Sequence, residues 1–165
     1  MCSSDLKKGV SVSSWDIERG EDHDLLDQSR WNKLYESYDQ GEFDGSGHAP
    51  PCGTFSGLRC FDGGPVPLRS EWAPGIYGLG GLTPYDREQV REGTLFALRS
   101  AGICKSSHRQ GLPFWTETPK RRPGVPCVFK LTEYIGLAAL PGVSIEELVQ
   151  CMMGARTSKP TEVLH

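Results

Sequence analysis

A long stretch rich in glycine and proline limits what this chain can fold into. Residues 57–82 are almost all glycine, proline and turn-forming residues, so they predict a loop. A connection of this length is functional or mobile more often than it is a spacer. The helices and strands must therefore come from the two sides of the loop, and 165 residues suffice for a single domain over 1–165.

Composition and charge exclude several classes of protein. A hydrophobic fraction of 37% favours a folded domain over disorder. The sequence contains no run of 18 apolar residues, which a membrane span would need. The first eight residues lack the apolar region of a signal peptide. An intracellular protein is expected, with nucleus and cytoplasm both open. The net charge of −3 argues against a protein that holds nucleic acid by bulk electrostatics.

The cysteines predict reduced thiols rather than disulfides or a metal site. They are scattered, with no Cys-x-x-Cys pair, and most are expected to be buried as small hydrophobic residues. A zinc deaminase needs the sequences His-x-Glu and Pro-Cys-x-x-Cys. Here Ala49 and Pro50 follow His48, and Phe55 stands three residues after Cys52, so that hypothesis fails and no metal is expected. The six cysteines are Cys2, Cys52, Cys60, Cys104, Cys127 and Cys151.

Periodicity in the first part of the chain predicts a strand, a helix and a second strand. Residues 10–17 alternate apolar and polar side chains at first, and predict a strand that ends on the carboxylate of Asp16. Apolar residues at helical spacing predict an amphipathic helix over 28–39, which Asp27 would cap. Residues 43–49 predict a weak strand that runs into the sequence Pro-Pro-Cys.

Order returns after the long loop. Thr83 precedes a proline at the first helical position, and the pattern predicts a helix over 84–101 that Gly102 ends. Residues 112–116 predict a short apolar strand, and 132–140 predict a helix.

Strands that alternate with helices predict an α/β domain with a mainly parallel sheet. The last element is ambiguous, because residues 143–152 fit either a short helix or a strand and periodicity leaves both open. In such sheets ligands collect at the carboxyl ends of strands. That rule points to Asp16, to the turn at 50–52 and to 117–119, which all follow predicted strands.

Cys52 and Glu117 are the residues at these strand ends that could carry chemistry. Two prolines stiffen the approach to Cys52, and Gly53 allows a ligand close to the backbone, so the thiol could serve as a nucleophile. A structural turn in which Cys52 merely packs is equally consistent. Glu117 could hold a polar heterocycle, or it could be a solvated glutamate paired with Lys120 or Arg121.

Three motifs in order resemble one family. Residues 50–56 read Pro-Pro-Cys-Gly-Thr-Phe-Ser, which resembles the nucleophile motif of the cytosine-C5 DNA methyltransferases in the form found in algal, dinoflagellate and transposon-associated proteins. The sequence Glu-Thr-Pro at 117–119 resembles the family's Glu-Asn-Pro motif. The sequences Gln-Cys-Met-Met-Gly at 150–154 and Lys-Pro-Thr at 159–161 resemble a later segment of the same group.

The resemblance implies a Rossmann-like S-adenosylmethionine methyltransferase fold, with a mostly parallel sheet and helices on both faces. In that family the cysteine thiolate, here Cys52, attacks C6 of a cytosine flipped out of DNA. The glutamate, here Glu117, holds N3 and the exocyclic amine. C5 then takes the methyl group of S-adenosylmethionine and loses its proton.

The resemblance also assigns binding residues. Asp16 matches the acid that binds the cofactor ribose, although from the residues alone it could equally cap a turn. Asp24 and Pro50 take the other expected cofactor contacts. The residues expected to contact the target base or its phosphates are Ser56, Arg59, Arg69, Lys120, Arg121 and Arg122. Each of these arginines and lysines could also lie on a solvated loop.

The chain departs from the family pattern at three places. The glycine-rich cofactor loop would precede Asp16 but is not found there, so the expectation is a domain incomplete at its N-terminus, a fragment or degenerate copy with weak or no activity. Thr118 replaces the Asn of the second motif, and residues 120–122 replace its serine-containing continuation. In the family's sheet the first strand lies between the second and the fourth, so its absence would leave both with unpaired edges.

Two other functions stay open at this point. A non-catalytic α/β module that binds protein or nucleic acid would keep the fold while the chemistry decays. A thiol-dependent enzyme unrelated to methyl transfer would use Cys52 without the cofactor.

Overall fold

A computed structural model describes residues 11–16, 20–149 and 159–165 of the chain. It is a mixed α/β structure with a four-stranded open sheet. None of the helices among these residues is long and apolar enough to cross a membrane. The helices are α1 (Gln28–Asp39), α2 (Pro84–Gln110) and α3 (Thr132–Ala138), and the strands are β1 (Ser46–His48), β2 (Phe114–Pro119), β3 (Ile145–Val149) and β4 (Pro160–Leu164).

The sheet has the order β1-β2-β4-β3 and is less parallel than the sequence predicted. Strands β1 and β2 pair in parallel, whereas β4 pairs antiparallel with both β2 and β3. The expectation of a mainly parallel sheet is therefore wrong for the strand pairs. Because β4 lies between β2 and β3 and runs against them, it turns two of the three pairings antiparallel. The other three strands still run in one direction.

The hydrophobic core lies between one face of the sheet and helices α2 and α3. Along β2, Phe114, Thr116 and Thr118 are buried, while the residues between them are more exposed. The Cys104 Sγ of α2 lies 3.4 Å from the Thr116 Oγ1, which places α2 on this inner face. The core joins residues of α2, α3 and the sheet with loop residues, among them Phe55, Ile76, Ala97, Ala101, Tyr134, Leu137 and Leu164.

Helix α1 packs against α2. The Tyr38 hydroxyl lies 2.8 Å from the Ser107 Oγ of α2, and Leu34 and Tyr38 form a second apolar cluster with Ile103. The arrangement of helices on both faces stays a prediction. The outer face carries Trp115 and Glu117.

The two long helices begin where the sequence predicted. The Asp27 carboxylate accepts a hydrogen bond from the Arg30 amide at 2.8 Å, and α1 matches the predicted 28–39. The Thr83 side chain caps α2. The predicted end at Gly102 is wrong, because the buried face continues through Ile103 and the helix runs on to a left-handed Gly111 with φ 69°.

Two further segments, at the start of the chain and at 143–152, can be compared with the sequence predictions. Residues 11–16 are irregular rather than a strand, and the other two positions of the predicted strand lie outside the described residues. A strand needs a neighbour for its backbone groups, and none of the four strands pairs with this segment. The Trp15 ring packs instead on the cluster of α1. The ambiguous segment 143–152 contains strand β3, which pairs with β4.

The long loop is packed rather than free. It contains the 3₁₀ turns Gly57–Cys60 and Gly75–Tyr77, and Leu68 and Ile76 are buried within it. The glycine and proline residues therefore build an irregular segment that closes one side of the core.

Candidate functional site

The parallel pairing of β1 and β2 directs Cys52 and Glu117 to the same edge of the sheet. In the register His48 of β1 lies opposite Thr116 of β2, so both strands run toward one edge. Cys52 follows β1 by a few residues, and Glu117 comes directly after Thr116. The sequence predicted that Glu117 follows the strand, but the structure places it within β2. The two motifs of the sequence still share an edge.

Cys52 begins a tight turn a few residues after β1. Its carbonyl accepts a hydrogen bond from the Phe55 amide at 2.9 Å, which closes the 3₁₀ turn Gly53–Phe55. Pro50 is buried, and the Cys52 side chain is half-buried. The thiol is therefore held on a short, fixed turn from which it remains partly accessible.

The other described cysteines have different surroundings. Cys104 and Cys127 are buried, as expected for small hydrophobic residues. Burial raises the pKa of the Cys104 thiol to about 11 and also raises the pKa of Cys127, so both stay protonated at neutral pH. Cys60 is exposed, contrary to the expectation of burial. Cys2 and Cys151 lie outside the described residues.

Arg59 and Ser56 brace the segment after Cys52. The Arg59 Nε donates to the Gly53 carbonyl at 3.3 Å, and its Nη1 donates to the Val66 carbonyl at 3.0 Å. The Ser56 Oγ accepts from the amide two residues on at 3.3 Å and caps the next turn. Both predicted substrate contacts therefore contact the backbone around the nucleophile-like residue.

Arg69 does not present its guanidinium to a ligand, contrary to its expected role as a phosphate contact. The residue is 2% exposed. Its guanidinium donates to the Thr54 and Thr94 hydroxyls at 3.0 Å, and to backbone carbonyls of Ile76 at 2.7 Å and Val90 at 2.9 Å. It also lies 3.9 Å from the Phe55 ring centroid. Arg69 ties the long loop to α2.

Glu117 lies on the outer face and forms an ion pair. The Lys159 Nζ donates to the Glu117 Oε1 at 3.1 Å, and the Glu117 side chain is 23% exposed. Lys159 comes directly before β4, which pairs with β2. Lys159 therefore lies beside Glu117 because β4 pairs antiparallel with β2. It belongs to the Lys-Pro-Thr sequence, but nothing in the sequence predicted which residue it would contact.

Two of the three basic residues after β2 form ion pairs with carboxylates. The Lys120 Nζ lies 2.7 Å from a Glu147 oxygen, and the Arg121 Nε lies 2.7 Å from a Glu162 oxygen. Arg122 is exposed. These ion pairs fix the start of the loop at the same edge as Cys52, and a phosphate at this edge would compete with the two carboxylates.

The two loops at this edge are also joined to each other. The Glu71 carboxylate accepts from the Gly124 amide at 2.9 Å and pairs with Lys130. Gly57 lies close to the Val125 side chain, at 3.4 Å from where its Cβ would be. The loop after Cys52 and the loop after Glu117 thus form one packed surface.

The two acids assigned to a cofactor lie on irregular backbone. The Asp24 carboxylate accepts a hydrogen bond from the Leu26 amide at 2.8 Å and so caps its own turn. Asp16 is exposed and does not follow a strand. Binding of S-adenosylmethionine by these residues stays a prediction.

Two surface cavities lie away from Cys52 and Glu117. A surface cavity of about 500 Å³ lies between α2 and the loop that precedes it, lined by Tyr77, Leu79, Leu82, Val90 and Leu95 among others. A second cavity of about 360 Å³ lies near the start of β2. Within 11–16, 20–149 and 159–165, no group of three or more histidine, cysteine or acidic residues could hold a metal.

Comparison with other proteins gives no relative on which to base a function. No family model, no curated protein and no solved structure matches the chain. The function must be inferred from the geometry of the edge at Cys52 and Glu117.

Sequence reasoning missed two residues near Glu117. Trp115 lies on the same outer face and is half exposed. The alternation of β2 could have placed it there, since residues two apart on a strand share a face. The contact of Lys159 depends on the insertion of β4 beside β2, which has no local sequence signal.

Proposed function

We propose that this chain is a cytosine-C5 methyltransferase-like domain with a Rossmann-like arrangement, in which Cys52 adds to a cytosine and Glu117 holds the base. The observation that carries the proposal is the parallel pairing of β1 and β2, which directs both motifs to one edge of the sheet. Sheet edges at the carboxyl ends of parallel strands are where α/β proteins bind their ligands. The rigid turn at Cys52 supports a role as a nucleophile.

Covalent addition would solve the chemical problem that cytosine presents. C5 of cytosine is a poor nucleophile. When the Cys52 thiolate adds to C6, a carbon–sulfur bond forms and the displaced electron pair makes the ring enamine-like, with nucleophilic character at C5. Glu117 would accept a hydrogen bond from the exocyclic amine and so fix the ring during the addition. Departure of the thiolate restores the aromatic base.

Methyl transfer would need residues that bind the methyl donor. The family that the sequence resembles uses S-adenosylmethionine, but Asp24 is committed to its own turn and Asp16 lacks a supporting strand. The activity proposed for the described residues is therefore covalent capture of the base, with no methyl-transfer step.

The proposed substrate is a cytosine in DNA that is flipped out of the helix. Arg122 is exposed at the same edge, and Lys120 and Arg121 stand next to it on the same loop. Phosphate groups of the DNA would bind these side chains in place of their present carboxylate partners. The net charge of −3 implies that such binding depends on this local cluster.

A trapping experiment tests the proposal directly. DNA that carries 5-azacytosine has a more electrophilic C6, and its ring nitrogen at position 5 accepts a proton, so an adduct forms without a methyl donor. We expect a protein–DNA band that survives denaturing gel electrophoresis and disappears in Cys52→Ser. Cys60→Ser is the matched control, because Cys60 is exposed on the same loop. Adduct formation by Cys52→Ser at the rate of the unchanged chain would refute the proposal.

A second candidate function is a binding module that does no chemistry. The observation in its favour is that Glu117, Lys120 and Arg121 are already paired within the protein. The loop after Cys52 also exposes the large apolar side chains Leu58 and Phe61. DNA binding in a gel-shift assay without any covalent band, and with equal affinity in Cys52→Ser, would favour this function over base capture.

A further inference from the structure

The larger surface cavity, between α2 and the loop that precedes it, has room for a small ligand. Its volume is about 500 Å³, within the range of roughly 300 to 1,000 Å³ that small-molecule sites occupy. Leu79 in its lining is 36% exposed, and Leu82, Leu95 and Leu98 are half-buried. These leucines leave apolar surface in contact with solvent, and an apolar ligand would cover it.

Helix α2 gives the cavity one polar and one apolar end. Arg87, Arg91, Leu95 and Leu98 all line it. Residues three and four apart on a helix share a face, so these side chains follow one another along α2. The helix rises by about 16 Å from Arg87 to Leu98. Two arginines therefore stand at the end nearer the start of the helix, and two leucines stand at the other.

The other polar groups in the lining already have partners within the protein. The Tyr77 hydroxyl donates to the Glu133 Oε2 at 2.8 Å, and the Thr94 hydroxyl accepts from the Arg69 Nη1 at 3.0 Å. None of the described residues that line the cavity is acidic. A ligand would therefore meet apolar surface over most of the cavity and positive charge at one end.

The two arginines differ in what they offer to a ligand. The Arg91 Nε donates to the Glu88 Oε2 at 2.9 Å, and the Arg91 Nη2 donates to the other oxygen of that carboxylate at 2.5 Å. Arg87 is exposed, and its Nη2 makes a long contact of 3.4 Å to the Leu82 carbonyl. Within the described part of the chain, Arg87 has no ion pair with a carboxylate. One guanidinium is thus open to an anionic group.

We propose that this cavity binds a small apolar carboxylic acid. Its carboxylate pairs with Arg87, since a guanidinium and a carboxylate match through two parallel hydrogen bonds. Its apolar part lies along Leu95 and Leu98. The site requires neither Cys52 nor Glu117, so it is independent of base capture.

Charge and polarity select this occupant. An amine would place a second cation beside Arg87, and a neutral alcohol would forgo the ion pair. A phosphate monoester carries close to two charges, but only one of the two arginines lacks a carboxylate partner. A ligand with a second charged group in its apolar part would bury that charge against leucines without a partner, which is costly. A single carboxylate on an apolar body fits both ends of the cavity.

Isothermal titration calorimetry of the full chain at pH 7 tests the proposal with octanoate, kept below the concentration at which it aggregates. We expect saturable binding of one octanoate per chain. Octanol has the same alkyl chain without the charge and should bind roughly tenfold more weakly, and octylamine should bind more weakly still. Hexanoate should bind roughly fifteenfold more weakly than octanoate, because it buries two fewer methylene groups.

Variants separate the polar end of the cavity from the apolar end. Arg87→Gln should weaken octanoate roughly tenfold and leave octanol unchanged. Lys105→Gln is the matched control, since Lys105 is an exposed cation about 27 Å further along the same helix, and it should keep the affinity for octanoate. Leu98→Asn should weaken octanoate and octanol alike. Phe61→Ser, which removes a ring that is 56% exposed outside the cavity, should weaken neither.

The titrations also distinguish the possible occupants. Use of 4-phenylbutyrate in place of octanoate separates an aromatic from an alkyl acid, and saturable binding of either one that depends on Arg87 supports the site. Tighter binding of a peptide that ends in leucine would overturn the small-molecule occupant and assign the cavity to a protein C-terminus. Because Arg87 is exposed, Arg87→Gln should fold like the unchanged chain, as circular dichroism will show. No saturable binding of either acid, or equal affinity in Arg87→Gln, would refute the proposal.

Discussion

Polar groups are buried on the inner side of the sheet but partly exposed at the edge that holds Cys52 and Glu117. On the inner side Arg69 is buried and makes four hydrogen bonds to side chains and backbone. At the outer edge Cys52 and Glu117 are only partly covered. Buried polar groups that are fully bonded fix one conformation. Partly covered groups stay in contact with solvent, and the candidate chemistry accordingly lies on the side that contributes less to folding.

The contrast extends to the histidine of β1. His48 lies on the inner side, where its Nε2 is 2.9 Å from the Ser46 Oγ, which in turn approaches Ser107 at 3.4 Å. Ser107 continues the chain of hydrogen bonds to Tyr38. This network joins β1 to α1 and α2, whereas the residues after β1 form the turn of Cys52. One short strand therefore separates a structural network from the candidate site.

The strongest way to break this comparison is to remove Arg69. Arg69→Met should cost about 3 kcal/mol in the free energy of unfolding, because it leaves two buried backbone carbonyls and two hydroxyls without their donor. Chemical denaturation followed by circular dichroism measures the change. Arg122→Met, at an exposed position, should leave the midpoint nearly unchanged. Equal effects of the two substitutions would mean that Arg69 does not anchor the loop.

A smaller effect is expected from acid through His48. Burial lowers the pKa of His48 from 6.5 to about 4. Below about pH 6.5 the unfolded chain binds a proton that the folded chain rejects, so stability falls as the pH drops toward 4. Because His48 is only half-buried, solvent reduces the value that linkage gives for this shift, and we expect a contribution of about 2 kcal/mol. In His48→Gln, which keeps a hydrogen-bonding side chain, the loss of stability between pH 6.5 and 4 should be smaller by that amount, as denaturation at a series of pH values will show. The same loss of stability in acid in both proteins would mean that His48 is not held neutral by the fold.

Local signals predicted the helices better than the sheet. The cap at Asp27 and the apolar spacing gave α1 its bounds, since both act within a few residues. Gly102 was misread as a helix end because its cost in a helix is about 1 kcal/mol, less than the buried contacts of the following turn provide. The strand predicted over 10–17 failed in its described part because strand formation depends on a neighbour, which periodicity does not show.

The candidate site was predictable only where it follows a strand. The position of Cys52 after β1 and its shared edge with Glu117 follow from the order of strand-like segments and the rule for parallel sheets. Arg69 could not be distinguished from Arg122, because burial depends on how the loop closes over α2. The partner of Glu117 was also hidden, since Lys159 is distant along the chain and reaches it through the reversed strand β4.

The smallest effects compare two lysine–glutamate pairs on the sheet. Lys159 pairs with Glu117 and Lys120 pairs with Glu147, and all four side chains are partly exposed. Solvent screens such pairs, so Lys159→Met and Lys120→Met should each change the free energy of unfolding by less than about 1 kcal/mol. Chemical denaturation followed by circular dichroism measures both changes.

That comparison tests whether either pair matters for folding. The two pairs have similar exposure and the same chemistry, so the two substitutions should behave alike. A loss well above about 1 kcal/mol in Lys159→Met alone would mean that its pair with Glu117 holds β4 against β2, and that this part of the sheet serves folding. Small losses in both variants would instead mean that Glu117 can exchange its lysine partner for a ligand at little cost to the fold.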